Sequence, residues 1–308
     1  MKTTFGQAKE IVERMALAHR DETLPVADMR FNDLKSMEIA GQEFEVLPSA
    51  QRLFASRFRV PHSYLVRCSA ELQADNLNFW IEQEQKTRDT LFCRFDGMKL
   101  RAVFTDRYKV LDNREIVEKM DESGYHHETE VHLTLDRNLM VIKVPDYARS
   151  FFINAEKMTP GIAISNSEVG VLAFSIEAYF YRLVCTNGLI SKTEVASKFR
   201  HVSERALQEF HEIVRQVTYE SRYNQSQLSI SQDKSVENPL ATIDSFNRQF
   251  QLTKKEKETV TRAWEEEPGN TMFAIINAYT RAGQDRELSA EESNRLERIG
   301  GQILSLIK

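Results

Sequence analysis

The sequence predicts an α+β fold: an antiparallel β-sheet of about six strands, flanked by an N-terminal helical segment and a C-terminal helical region. Three observations predict it. Apolar residues recur at helical spacing up to about residue 90, alternate along residues 91–190, and return to helical spacing after Ser203. Asp96-Gly97, between two alternating runs, is a strong short hairpin signal. Gly and Pro number only 11 and 7, so long linkers are not expected. The implied segments are 1–90, 91–202 and 203–308.

Within the first segment, residues 5–19 carry Ile11, Met15 and Ala18 on one helical stripe. Pro48 and Pro61 each suit the first turn of a short helix. Ser69 precedes a further helix containing Leu72, Leu77, Trp80 and Ile81. The central segment opens with strands over 91–95 and 99–111. A short helix follows from Asn113 to the break at Gly124, and a second hairpin spans 129–135 and 139–144. A third strand pair, 162–165 and 171–185, flanks the sequence SNSEVG. Beyond it, helices are expected over 203–223, 240–250, 253–264, 271–282 and 289–306. The polar stretch NQSQLSISQDKSVENP (224–239) is the expected linker or mobile loop.

Composition narrows the class. Hydrophobic residues make up 41% and charged residues 28%, as in a water-soluble globular chain. The first 22 residues carry charges throughout and do not read as a signal peptide. No run approaches the roughly 20 apolar residues of a membrane span, so no membrane association is expected. Three scattered cysteines read as buried free thiols, which points to the cytoplasm. A net charge of −5 argues against overall positive charge but leaves room for a basic face.

Such a face emerges from the first hairpin. With Asp96-Gly97 as the turn, alternation sends Leu91, Cys93, Phe95, Leu100, Ala102, Phe104, Tyr108 and Val110 to the core. The opposite face collects Phe92, Arg94, Lys99, Arg101, Arg107 and Lys109. Cations neutralise phosphates and aromatics stack on bases, so this stripe is a candidate nucleic-acid surface. An ordinary solvated face, with carboxylates from elsewhere pairing the cations, is the plainer alternative and stays slightly ahead on residue pattern alone. Lys198 and Arg200, with Lys192, His201 and Arg205, form a second basic concentration.

Catalytic signals are weak. His126, His127 and His132 match no zinc spacing. Asp96, Asp106 and Asp112 offer carboxylates for a metal-dependent nuclease, but Asp96 suits a turn and Asp112 a strand end. Cys185 has no histidine at a motif spacing, and no Gly-rich phosphate loop, GxSxG or HExxH occurs. No cofactor is implied, and the residues do not name an enzyme.

The strings RFRVPHSYLVRC (57–68), FDGMKLRAVFTDRYKVLDN (95–113), GIAISNSEVGVLAFSIEAYFYRLVCTNGLI (161–190) and TMFAIINAYTRAGQD (271–285) resemble the phage/plasmid-like uncharacterised protein family, domain of unknown function 932. The resemblance covers nearly the whole chain, with SNSEVG and LVCTNG its most specific elements. It implies a protein of a mobile genetic element and carries over no catalytic residue. The leading expectation is therefore a non-catalytic DNA-binding protein that assists recombination or replication on single-stranded DNA. A protein-interaction module, such as an inhibitor of host defence or an assembly factor, is the alternative, and a nuclease the third. Self-association is left open.

Overall fold

A computed structural model describes residues 1–153, 156–182, 188–191 and 208–307. The chain divides into two compact units, neither of them one continuous stretch. The smaller comprises Lys9–Val117 and Ser167–Val171; the larger comprises Met1–Ala8, Glu118–Asn166 and Leu172–Lys308.

The chain opens with β1 (Lys2–Thr4) and α1 (Phe5–Ala16). The smaller unit is built on β2 (His19–Pro25), β3 (Met29–Phe31), β4 (Ser36–Ile39), β5 (Gln42–Val46), β6 (Thr90–Asp96) and β7 (Lys99–Phe104). They form one sheet in the order β2-β6-β7-β5-β4-β3, antiparallel except where β5 runs parallel to β7. Helices α2 (Pro48–Arg57), α3 (His62–Leu65) and α4 (Ala70–Gln85) lie between β5 and β6 in sequence. Phe54 from α2, Phe58 just after it, and Leu77 and Ile81 from α4 join Phe31, Met37, Phe44, Cys93, Phe95 and Leu100 of the strands in one core. Pro48 occupies the first turn of α2, where its missing N–H costs nothing, and the Ser69 hydroxyl accepts from the Leu72 N–H to start α4.

The fold class is therefore α+β, with helices in both outer segments as expected, but the strands form two sheets. The N-terminal segment contributes β1 to β5 as well as its helices. The β4–β5 hairpin turns at Ala40-Gly41, both with positive φ (+51° and +80°). Alanine is an unusual residue there, so the usual Asn-Gly or Asp-Gly signal is absent. β2 reads HRDETLP, mostly polar with Asp21, Glu22 and Thr23 exposed, as suits an edge strand that pairs only with β6.

α5 (Asn113–Glu122) leads into the larger unit. Its strands are β1, β8 (Glu130–Leu135), β9 (Met140–Pro145), β10 (Phe151–Ile153), β11 (Glu156–Asn166), β12 (Ser175–Arg182) and β13 (Gly188–Ser191). They run antiparallel in the order β1-β8-β9-β11-β12-β13, with β10 pairing β11. Every residue of β9 and β12 is buried, the pattern of strands covered on both faces. Helices α6 (Phe210–Asp233), α7 (Pro239–Gln249), α8 (Lys254–Glu266), α9 (Met272–Ala282) and α10 (Ala290–Ser305) complete the unit. Thr253–Glu256 and Ser289–Glu292 form reciprocal capping boxes at α8 and α10.

Much of the expected 224–239 loop is helix, since α6 continues to Asp233. Asn224, Gln227, Leu228 and Ser231 are buried at i, i+3, i+4 and i+7, and the Gln227 amide donates to the Ile307 carbonyl at 3.0 Å. The buried face is polar, so hydropathy alone does not reveal it.

Candidate nucleic-acid interface

Strands β6 and β7 place the predicted stripe differently from simple alternation. Asp96 pairs with Lys99 and Phe95 with Leu100, but Arg94 pairs with Ala102. The turn residues are thus Gly97, at φ +57°, and Met98, and Arg101 is the extra residue of a β-bulge. Beyond the bulge every side chain of β7 changes face. Val103 joins the core, whereas Ala102 and Phe104 stand opposite Arg94 and Phe92.

The face carrying Arg94 is covered by Ser167–Val171 and the 105–112 segment instead of facing water. Arg94 is only 1% exposed. Its Nε and Nη2 donate to the two carboxylate oxygens of Asp21 at 3.0 and 2.9 Å, and Nη2 also bonds to Asp112. Its Nη1 donates to the Glu168 carbonyl at 3.1 Å. Burial alone would lower the pKa of this guanidinium, but the two carboxylates outweigh it and hold the group charged. Arg101, 4% exposed, donates from Nη1 to Glu168 Oε2 at 2.5 Å. The other Glu168 oxygen accepts from the Asn113 N–H at 2.8 Å. His19 Nδ1 lies 3.6 Å from Glu168 Oε2; burial, with Arg101 adding to it, holds this histidine below its ordinary pKa. Lys99 is paired with Glu45 at 2.9 Å. Arg94 and Arg101 are consequently corrected from a solvated face to a buried network, whereas Lys99 stays partly exposed in its pair with Glu45.

The remaining members of the stripe stand elsewhere. Arg107 and Lys109 are exposed on the segment after β7, and Phe92 is half-buried. Phe104 and Tyr108, expected in the core, stack on each other with ring centroids 3.8 Å apart and planes within 3°. Phe92 stacks on Tyr108 at 6.0 Å. An open groove of about 520 Å³ runs beside this cluster, lined by Leu53, Ser56 and Arg57 of α2 and by Phe104, Arg107 and Tyr108. Burial raises the Tyr108 hydroxyl pKa, so the ring stays neutral.

Alternation missed α2. From Val46 to Ala70 the sequence contains no Asp or Glu, but it does contain Arg52, Arg57, Arg59 and Arg67. That acid-free run was the available signal. Arg52, Arg59 and Arg67 are exposed, while Arg57 is held by Glu84 at 2.8 Å. A second groove of about 340 Å³ beside Arg262 and Arg281 in the larger unit differs, because Arg262 is paired with Asp285 and Arg281 with Glu266.

Residues 101–299 match the family described as Domain of unknown function (DUF932). The chain belongs to that family. The DUF932 match begins at the bulged Arg101 and includes Phe104, Arg107, Tyr108, Lys109 and Glu168; it leaves out the 57–68 string and the arginines of α2. SNSEVG supplies Glu168 and Gly170 to the smaller unit, so two strings that carry the DUF932 resemblance meet at Arg101 and Phe104. No curated protein and no solved structure matches the chain.

Other candidate chemistry is dispersed. Among the described residues no three His, Cys, Asp or Glu side chains gather to hold a metal ion. His127 lies 3.7 Å from Asp121 and His132 3.6 Å from Glu130, while Asp106 is paired with Arg88 at 3.0 Å. Cys93 is buried, which pushes its thiol up to about 12. No described helix is long and apolar enough to cross a membrane. Lys198 and Arg200, like Cys185, lie outside the described residues.

Proposed function

We propose that this protein is a non-catalytic DNA-binding protein of a phage or plasmid, acting in the cytoplasm to assist recombination or replication on single-stranded DNA. One observation carries the reading: the groove beside α2 joins stacked aromatic rings to exposed Arg107, with exposed Lys109 close in sequence. Phosphates are met by cations that reach the surface, and bases need a ring face. Arg107, Lys109, Arg52 and Arg59 are the phosphate-facing candidates; Arg94, Lys99 and Arg101 support them from within and from the hairpin end.

The test is a salt titration of binding to a fluorescently labelled oligothymidylate. Log affinity should fall linearly with log salt, by about 0.7 per phosphate contacted. A slope near zero rules the reading out.

A protein partner is the second reading. It rests on Tyr64 and Val66 around the end of α3 and Leu72, Phe79 and Trp80 on α4, all exposed. Acidic residues Glu71, Asp75 and Glu82 stand among them, which disfavours nucleic acid there. A Phe79→Ser/Trp80→Ser variant that loses its biological effect while binding DNA normally would favour this reading.

A further inference from the structure

We infer that the outward face of α4 is a docking surface for a basic amphipathic helix of a partner protein. This deepens, and rests on, the protein-partner reading of that face and does not depend on DNA binding. The inner side of α4 is committed to its own unit. Leu77 and Ile81 enter the core, and the Asn78 amide bonds to the Phe31 N–H at 2.7 Å and to the Phe31 carbonyl at 2.9 Å. The Gln73 side-chain oxygen accepts from the Leu34 N–H at 3.0 Å. The other side carries Leu72, Asn76 and Phe79 at i, i+4 and i+7, one stripe along the helix, with Trp80 next to Phe79. Leu72, Phe79 and Trp80 are 43%, 53% and 37% exposed, so the stripe is open. Tyr64, from α3, meets Asn76 in the middle of it and is 38% exposed.

The charge around the stripe selects the partner. From Ala70 to Gln85, α4 carries Glu71, Asp75, Glu82 and Glu84 and no Lys or Arg. Glu84 is held by Arg57 and Arg88. Glu71, Asp75 and Glu82 are exposed, and among the described residues no cation pairs with any of them. Large apolar side chains framed by unpaired carboxylates complement a surface whose apolar anchors are framed by Lys or Arg. A stripe that runs along one helix receives the side chains of a second by interdigitation. The same carboxylates disfavour the other occupants. Nucleic acid and anionic lipid headgroups carry like charge, and a two-fold contact between copies would set one acidic rim against another. Because the core and the Asn78 and Gln73 bonds already fix α4, little of the docking energy is spent on ordering it.

The experiment measures binding of the full chain to labelled amphipathic peptides of about 20 residues, long enough to form a helix. The first has leucines along one helical face and lysines on the other. The second has glutamates in place of the lysines, and the third has serines in place of the leucines. The wild-type protein should bind the first about ten-fold more tightly than either of the others. Phe79→Ser/Trp80→Ser should make the first and third peptides bind alike. Glu71→Lys/Asp75→Lys/Glu82→Lys should reverse the charge preference, so that the glutamate peptide binds more tightly, a gain that unfolding cannot mimic. Equal binding of the first two peptides by the wild-type protein overturns the inference, whatever the variants do. An unchanged affinity of Phe79→Ser/Trp80→Ser for the first peptide also overturns it, by placing the contact elsewhere on an acidic chain. Self-association of the wild-type protein that this variant abolishes, seen by sedimentation, would make the occupant a second copy and overturn it too. If the same variant loses its biological effect while the wild-type protein shows no peptide preference, the protein-partner reading stands and the basic helix does not.

Discussion

Arg94 and Arg101 on the one hand, and Arg107 and Lys109 on the other, come from one short stretch of sequence with the same residue chemistry, and the fold uses them in opposite ways. The first two are 1% and 4% exposed and are held by Asp21, Asp112 and Glu168. The second two are exposed. The difference lies in what covers each position. Asp21 arrives from β2 and Glu168 from Ser167–Val171, so the strand arginines meet carboxylates supplied from distant sequence. Arg107 and Lys109 lie beyond the strand, on the 105–112 segment, at the surface. A cation on a strand is therefore no indication of a phosphate site until the opposite face of that strand is known.

The largest test of this contrast is Arg94→Leu. Removing one side of a buried ion pair strands its partners, and the expected loss of stability is about 3–5 kcal/mol. Asp21 and Asp112 retain part of their hydration, being 25% and 35% exposed, which places the result towards the lower end of that range. Arg94→Lys keeps the charge without the two-pronged geometry and should fall between Leu and wild type. Chemical denaturation measures both. A variant that unfolds normally but no longer binds DNA would break the comparison by making Arg94 a phosphate ligand.

Arg107→Ala/Lys109→Ala is expected to do the reverse. Stability should change by less than about 0.5 kcal/mol, as for most surface substitutions. The salt slope of single-strand binding should drop by about 1.4, from two lost contacts at about 0.7 each. An unchanged slope would leave the exposed pair with no phosphate role.

How far the sequence shows this depends on whether each determinant is local. Pro48, Ser69, Thr253 and Ser289 mark helix starts through their own backbone chemistry, and the structure has helices beginning beside each of them. The β6–β7 hairpin is legible for the same reason. The bulge at Arg101 is not, because it reflects the fit of β7 against β6 and α2, and a slip of one residue sends Phe104 to the other face. Nor is the Arg101–Glu168 pair, whose members are 67 positions apart. The basic stripe was visible as composition, but which of its members face water depended on a loop supplied from elsewhere. The polar buried side of α6 fails differently: Asn224, Gln227 and Ser231 look solvated until a partner such as the Ile307 carbonyl is in place.

A smaller effect separates the buried network from the exposed cations by pH. His19 faces Glu168, Asp96, Arg101 and Arg94, and burial, followed by Arg101, holds its pKa below 6.5 in the folded protein. The unfolded chain then takes up a proton near pH 6.5 while the native chain does not, so stability should fall as pH drops below about 6.5 and be flat above it. His19→Gln should remove that part of the acid sensitivity. The salt slope of DNA binding should be unaffected by His19→Gln, because that substitution leaves Arg107 and Lys109 in place. A His19→Gln protein with an unchanged pH profile of unfolding would show that His19 is not the group responsible.

Lys99 gives the smallest and sharpest test, because it stands between the two classes. It lies at the hairpin end, with its side chain 38% exposed, and pairs with Glu45, which is 52% exposed, at 2.9 Å. Such a pair is well hydrated on both sides, and exposed pairs of this kind contribute about 0–1 kcal/mol. Lys99→Ala should therefore cost less than about 0.5 kcal/mol of stability, far below Arg94→Leu. It should also shift the salt slope less than Arg107→Ala, because Glu45 already competes for the ammonium. Measuring both quantities on one variant shows which side of the contrast a half-buried cation belongs to. A slope change equal to that of Arg107→Ala would mean that DNA displaces Glu45 and that the basic surface extends back to the hairpin turn. A stability loss approaching that of Arg94→Leu would instead extend the buried network out to the strand end.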